Sequence, residues 1–187
     1  MVLQNRTAVV GMFGAVLASL FFFVTPGHAE IVYKDIYVYM VDKGTYSFDL
    51  NGDGITDFTL TMTLHQVGCP YSITAVETPA QGNGAESTAL PAGTQIGPNE
   101  QFPEKALGMA NFNYLCGGHW SYAGPWPQGQ KRYLGLMFLI DGQPHYGWAA
   151  VEFDVILTFG PPKLIAKLTG YAYETVEGMP INAGQTQ

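Results

Sequence analysis

Within the stretch FDLNGDGITDF, residues 48–58, four oxygen-bearing side chains fall close together: Asp49, Asn51, Asp53 and Asp57. Spacings of two, two and four suit a hard cation. Ca2+ takes six to eight oxygens at about 2.3–2.6 Å, and a short loop supplies them by turning alternate side chains inward. With Asp49 as position 1, Asn51, Asp53 and Asp57 are positions 3, 5 and 9. Gly54 at position 6 permits the sharp turn round the ion. Ile55 is position 7, where the main-chain carbonyl is the ligand and the side chain is free to enter the core. Position 12 departs from a helix-flanked calcium loop, because Leu60 stands where a bidentate glutamate belongs. The missing oxygens would come from water or from a distant residue such as Asp42 or Glu77. Three carboxylates without that glutamate imply an affinity on the order of 10⁻⁴–10⁻³ M and a structural role. The competing reading is a polar turn whose carboxylates are merely solvated. Crowding three carboxylates without a cation weighs against it.

Other chemistry is sparser. Cys69 and Cys116 form an even pair whose spacing to other Cys or His residues fits no zinc site, so a disulfide is expected in an oxidising compartment. His65, His119 and His145 form no metal-spaced pair, and no nucleophile elbow, phosphate loop or dinucleotide fingerprint occurs. Asp141, Glu152 and Asp154 offer a weak case for a glycosidase-type carboxylate pair, which needs two acids facing each other across a cleft. The loop GGHWSYAGPWPQ carries Trp120, Tyr122 and Trp126, which would stack on sugar rings if exposed and plug the end of a β-sandwich if buried.

The elements that position these residues read as strands. In DFTLTMTL, Phe58, Leu60, Met62 and Leu64 alternate with Thr59, Thr61 and Thr63, giving a half-buried strand with a threonine outer face. Upstream, Tyr46, Phe48 and Leu50 alternate with Thr45, Ser47 and Asp49, so the acidic loop sits on a β-hairpin. Further strands are expected at IVYKDIYVYMV, YSITAV, RYLGLMFLI, HYGWAAVEFDVIL and KLIAKLTGYAYE, and no segment sustains a helical period. RYLGLMFLI and HYGWAAVEF flank DGQP, a turn signal, and are apolar on both faces, which places them near the centre of the fold. Residues 77–130 shift to Gly, Pro, Asn and Gln with scattered aromatics. They read as short strands and ordered loops, tied back by the disulfide and by Trp120 and Trp126. The fold expected is all-β, a single antiparallel, jelly-roll-like β-sandwich with an EF-like calcium loop on a hairpin.

The chain opens with Arg6 ahead of an apolar run from Ala8 to Val24, then Pro26 and the small residues Gly27 and Ala29. This predicts a signal peptide over residues 1–29, cleavage before Glu30 and a domain over 30–187 that is secreted, periplasmic or extracellular. The run falls short of the roughly 20 residues that span a bilayer, and no second such run follows. Losing Arg6 takes the formal net charge from −7 to −8. That excess of acid argues against nucleic acid or an anionic membrane surface as partner.

The stretches YSFDLNGDGITDFTL, LPAGTQIGP, RYLGLMF, HYGWAAVEF and LTGYAYETVEGMPINAG together resemble secreted bacterial proteins of the PEP-CTERM-associated type. Members usually end in a Pro-Glu-Pro signal, an apolar helix and basic residues, whereas this chain ends INAGQTQ. The resemblance implies export and a β fold with a DxNxDG loop, and it implies no activity. The sequence thus points to an exported, calcium-stabilised, non-enzymatic module with a structural or binding role, its partner a polysaccharide or a cell-surface protein. A calcium-dependent carbohydrate-binding domain using Trp120 to Trp126 is the alternative, and a carboxylate hydrolase a weaker third.

Overall fold

A computed structural model describes residues 29–66 and 68–187; the expected signal peptide lies almost wholly outside them. The described chain forms twelve strands: β1 (Ile31–Val41), β2 (Gly44–Phe48), β3 (Phe58–His65), β4 (Tyr71–Pro79), β5 (Gly84–Ala85), β6 (Gln95–Ile96), β7 (Leu107–Leu115), β8 (His119–Ala123), β9 (Arg132–Ile140), β10 (Gln143–Ile156), β11 (Lys163–Glu174) and β12 (Ile181–Asn182). They build two five-stranded antiparallel sheets. One runs β2-β3-β4-β7-β8 and the other β1-β11-β10-β9-β5, with β6 and β12 paired separately.

Both sheets are mostly meanders, in which a strand pairs with its neighbour in sequence. The fold is therefore a β-sandwich, but its order is not the pair of Greek keys that defines a jelly roll. Short turns account for this. The two-residue turn Asp141–Gly142, with φ of 52° and 79°, suits the right-handed twist of a tight hairpin and keeps β9 against β10.

Period-two alternation sets which side chains are inside. Phe58, Leu60 and Met62 of β3 and Ile73 and Ala75 of β4 face Leu134, Leu136 and Phe138 of β9 and Ala149, Val151 and Phe153 of β10 in the main core. Thr45, Ser47, Thr59 and Thr61 point outward, where Thr45 and Thr61 oxygens lie 3.4 Å apart and Ser47 and Thr59 oxygens 3.3 Å apart. The second face of β9 and β10 is also covered. Leu90 and Ile96, from the stretch that includes β5 and β6, and Ile181 and Ala183 of the C-terminal stretch pack on Tyr133, Tyr146 and Trp148. Trp148 donates from Nε1 to Gln185 O at 3.0 Å, and its ring meets Tyr133 edge-on at 5.2 Å. That cover explains why β9 and β10 are apolar on both faces.

The cover needs one special position. A Cβ on Gly135 would lie 2.5 Å from Glu86 Oε1, so glycine there makes room for a buried carboxyl. Burial is the main cause that pushes this carboxyl up to about 7, and Glu100 adds to it.

The sandwich has two distinct ends. Cys69 and Cys116 are joined at one of them, with Cα atoms 5.5 Å apart, linking the β3–β4 and β7–β8 connections. The 49–57 loop closes the β2–β3 hairpin at the other, where Phe48 pairs with Phe58.

Candidate metal centre

The aspartate-rich loop is folded by its own first carboxylate. Asp49 Oδ1 accepts the Gly52 and Asp53 amides at 2.7 and 3.2 Å, and Oδ2 accepts the Gly54 amide at 2.8 Å. Gly52 and Gly54 have φ of 78° and 88°, a left-handed conformation that glycine reaches without strain and that turns these amides inward. Asp53 Oδ1 accepts the Ile55 amide at 2.7 Å, and its Oδ2 accepts Asn51 Nδ2 at 3.0 Å. Asp49, Asn51 and Asp53 thus form one exposed, hydrogen-bonded group. Tyr171 steadies its base by donating to Asp49 O at 3.2 Å.

Asp57 behaves differently, because it is buried at the foot of the loop. Its Oδ2 accepts the Leu50 amide at 2.8 Å, and Asn83 Nδ2 donates to both Oδ1 and the main-chain O at 3.2 Å. Its amide donates to Phe48 O and its carbonyl accepts from Ala80, so the residue staples the hairpin to the β4–β5 connection. Burial pushes its carboxyl up from the ordinary range. The Leu50 and Asn83 donors pull it down, and the negative charges of Asp49 and Asp53 push it up again. The acids therefore feel one another, while the two ion pairs among the described residues, Lys163 with Asp42 and Lys167 with Glu152, lie elsewhere. Among the described residues, no group of three or more His, Cys, Asp or Glu side chains is drawn together tightly enough to hold a metal by itself.

Three sequence expectations about the loop need correction. Ile55 does not enter the core: it is 67% exposed, because the chain regains strand conformation only at Phe58. Leu50 supplies the apolar anchor instead, although β2 ends before it at Phe48; it is buried, with a methyl 3.2 Å from where a Gly147 Cβ would lie. The distant candidates for further oxygens are also misplaced. Asp42 pairs with Lys163 at the disulfide end, and Glu77 alternates with Ile73 and Ala75 into the main core.

The aromatic loop divides in the same way. Trp126 is 1% exposed and meets Phe153 edge-on at 6.4 Å, so it plugs the core. Tyr122 is half-buried and donates to Trp126 O at 2.8 Å, with burial and then Asp154 pushing its hydroxyl up to about 12. Only Trp120 is exposed, leaning on Phe112 at 5.9 Å. Trp120, Tyr122 and Trp126 therefore form no shared sugar-stacking platform.

The acids considered for hydrolysis do not face one another across a cleft: Glu152 and Asp154 stand side by side on one face of β10, and Asp141 is remote from both. Asp141 sits in the β9–β10 turn, about 40 Å along the strand from Asp154 at ordinary strand rise. Glu152 is held by Lys167 at 2.7 Å and Asp154 accepts from Gln128 at 3.1 Å. The histidines are no better gathered. His65 Nε2 bonds to Thr74, the buried His145 Nδ1 bonds to Glu174 O, and His119 is exposed on β8.

No family model, curated protein or solved structure matches this chain. Sequence reasoning missed Asn83 and Glu86, and it named Glu77 for a role that its place in the core does not allow. Asn83 reads as one more polar residue in a glycine-rich stretch, and only the folded structure brings it to Asp57.

Proposed function

We propose that the protein is an exported β-sandwich module whose 49–57 loop takes one Ca2+ as a structural ion, serving a structural or binding role at the cell surface or in the extracellular matrix. The observation that carries this reading is the loop itself. Its first carboxylate accepts three amide hydrogens through two left-handed glycines, leaving Asp49, Asn51 and Asp53 side by side with no cationic side chain paired to them among the described residues. The side chains of Asp49, Asn51 and Asp53 and the carbonyl of Ile55 would hold the ion. The buried Asp57 would serve through its unused lone pairs or a bridging water. An amide oxygen, a main-chain carbonyl and water are all suitable calcium ligands, so a site of this kind does not need three converging acids. Export is supported by the Cys69–Cys116 disulfide, a bond that persists in oxidising compartments, and by the resemblance to secreted bacterial proteins.

Calcium linkage gives the test. With an affinity in the 10⁻⁴–10⁻³ M range, 10 mM calcium stabilises the fold by about 1.4 to 2.7 kcal/mol. The expected thermal shift is roughly 3 to 10 °C. Asp53→Ala is expected to abolish the shift while leaving the calcium-free melting temperature nearly unchanged, since Asp53 is exposed and makes only local bonds. A wild-type protein that melts at the same temperature with and without calcium would remove the proposal.

A further inference from the structure

The end of the sandwich opposite the acidic loop has its own chemistry. Four connections meet there: the β1–β2 turn at Asp42–Lys43, the β3–β4 connection through Cys69, the β7–β8 turn through Cys116 and the β10–β11 loop at residues 157–162. They are joined by the disulfide, by Tyr71 donating to Pro162 O, and by the Lys163–Asp42 ion pair at 3.4 Å. Between them runs a shallow groove of about 400 Å³, lined by Leu64, Cys69, Tyr71 and Pro161 beside Asp42 and Lys163.

Apolar side chains stand out from this end. Phe159 is fully exposed, Leu157 is 74% exposed and Leu115, beside the disulfide, is 59% exposed. The 157–162 loop is a shaped projection, since Thr158 Oγ1 donates to Pro161 O at 3.0 Å and accepts the Gly160 amide at 3.2 Å. Two prolines close it. A phenylalanine fixed in water at a loop tip gains nothing in an isolated sandwich.

Charge is segregated along the same axis. In the described parts of these four connections Asp42 is the sole acid, and Lys163 neutralises it. Lys43, His65 and His119 are exposed around it. Asp49, Asp53, Asp57 and Asp141 lie in connections at the opposite end. The acids of the connecting loops are therefore concentrated at the other end, and those beside this one, Glu152 and Asp154 of β10, are held by Lys167 and Gln128.

We infer that this end docks on a phospholipid surface, with Leu157 and Phe159 entering the acyl boundary and the exposed Lys43 meeting headgroup phosphates. Exposed apolar side chains beside an exposed cation are an arrangement that interfacial binding rewards. A head-to-head second copy fits less well, because it would set Lys43 of each copy against the other.

Residues 30–187, which contain every described strand and both cores, are suitable for the test. In vesicle co-sedimentation the protein is expected to bind equimolar phosphatidylglycerol and phosphatidylcholine more tightly than phosphatidylcholine alone. Leu157→Ser with Phe159→Ser is expected to weaken partition on the order of 10- to 100-fold, the loss of two buried apolar side chains. Lys43→Glu is expected to abolish the preference for the anionic vesicle. Both changes are on exposed loops, and circular dichroism would establish that the sheets persist. Failure of the wild type to sediment with either vesicle overturns the inference, as does undiminished binding by the double variant. Lipid-free dimerisation that Phe159→Ser abolishes also overturns it, assigning the face to a second copy.

Discussion

Replacing Cys69 and Cys116 together by serine is expected to lower the free energy of unfolding by about 4 kcal/mol, while leaving the circular dichroism of the folded protein unchanged. The bond closes a loop with a sequence separation of 47, and its main effect in the chain-entropy view is on the unfolded ensemble. The folded state has other ways to hold the same strands together. β4 and β7 are already paired up to Tyr71 with Tyr114, and those rings lie 5.2 Å apart. Both cysteines are exposed, so serine leaves no cavity. Urea unfolding of the oxidised protein and the double variant measures the difference directly. A change below about 1 kcal/mol would mean that the unfolded chain is already held compact without the bond.

Glu77 carries the second large effect, in the opposite direction. It is fully buried on the inner face of β4, between Leu60 and Leu107 on the flanking strands, and neither carboxyl oxygen has a hydrogen-bond partner. Burial alone pushes this carboxyl up to about 8, against 4.5 for the free group. The folded protein therefore holds a proton that the unfolded chain releases. Between about pH 4.5 and 8 the unfolded state binds fewer protons, so stability falls as pH rises and levels off above the folded value. At pH 7 the cost is roughly 3 kcal/mol. Glu77→Met, which has a similar length and no polar atoms to leave unpaired, is expected to raise stability by about that amount at pH 7 and by less near pH 4. Asp57 and Glu86 have carboxyls shifted the same way and will tilt both curves. Taking the difference between variant and wild type removes their share, provided the sites are independent. A difference that does not grow with pH would show that Glu77 finds a partner or water in solution.

The disulfide and Glu77 mark what the sequence did and did not disclose. The cysteine pair was legible because an even count, in a chain whose first residues read as a signal peptide, has few other uses. Glu77 was not, since YSITAVETP shows alternation through Ala75 and then an acid that composition places outside. Strands with clean alternation, such as Phe58–His65, or with long apolar runs, such as Arg132–Ile140, were readable almost to the residue. β7 was not recognised as a nine-residue strand, because Gly108, Asn111 and Asn113 dilute its pattern and a bulge opposite Ala75 and Val76 breaks its phase. The cover over β9 and β10 was invisible for a different reason. Its residues, from Leu90 to Ala183, are far apart in sequence and pair through strands of only two residues. For the acidic loop, alternation in the flanking strands placed Asp49 to Asp57 on the β2–β3 hairpin. It could not tell that Asp57 turns into the interior toward Asn83 while Ile55 turns out.

The central claim is that the loop takes an ion, and its backbone amides are the most direct witnesses. In a calcium titration followed by amide NMR, the resonances of residues 49–57 are expected to move together. Gly54, whose amide is bonded to Asp49, should be among the most affected, with saturation in the 10⁻⁴–10⁻³ M range. In Asp53→Ala the same amides should stay still. Amides that do not respond to millimolar calcium, or shifts scattered over the acidic surface and unchanged in the variant, would contradict the account.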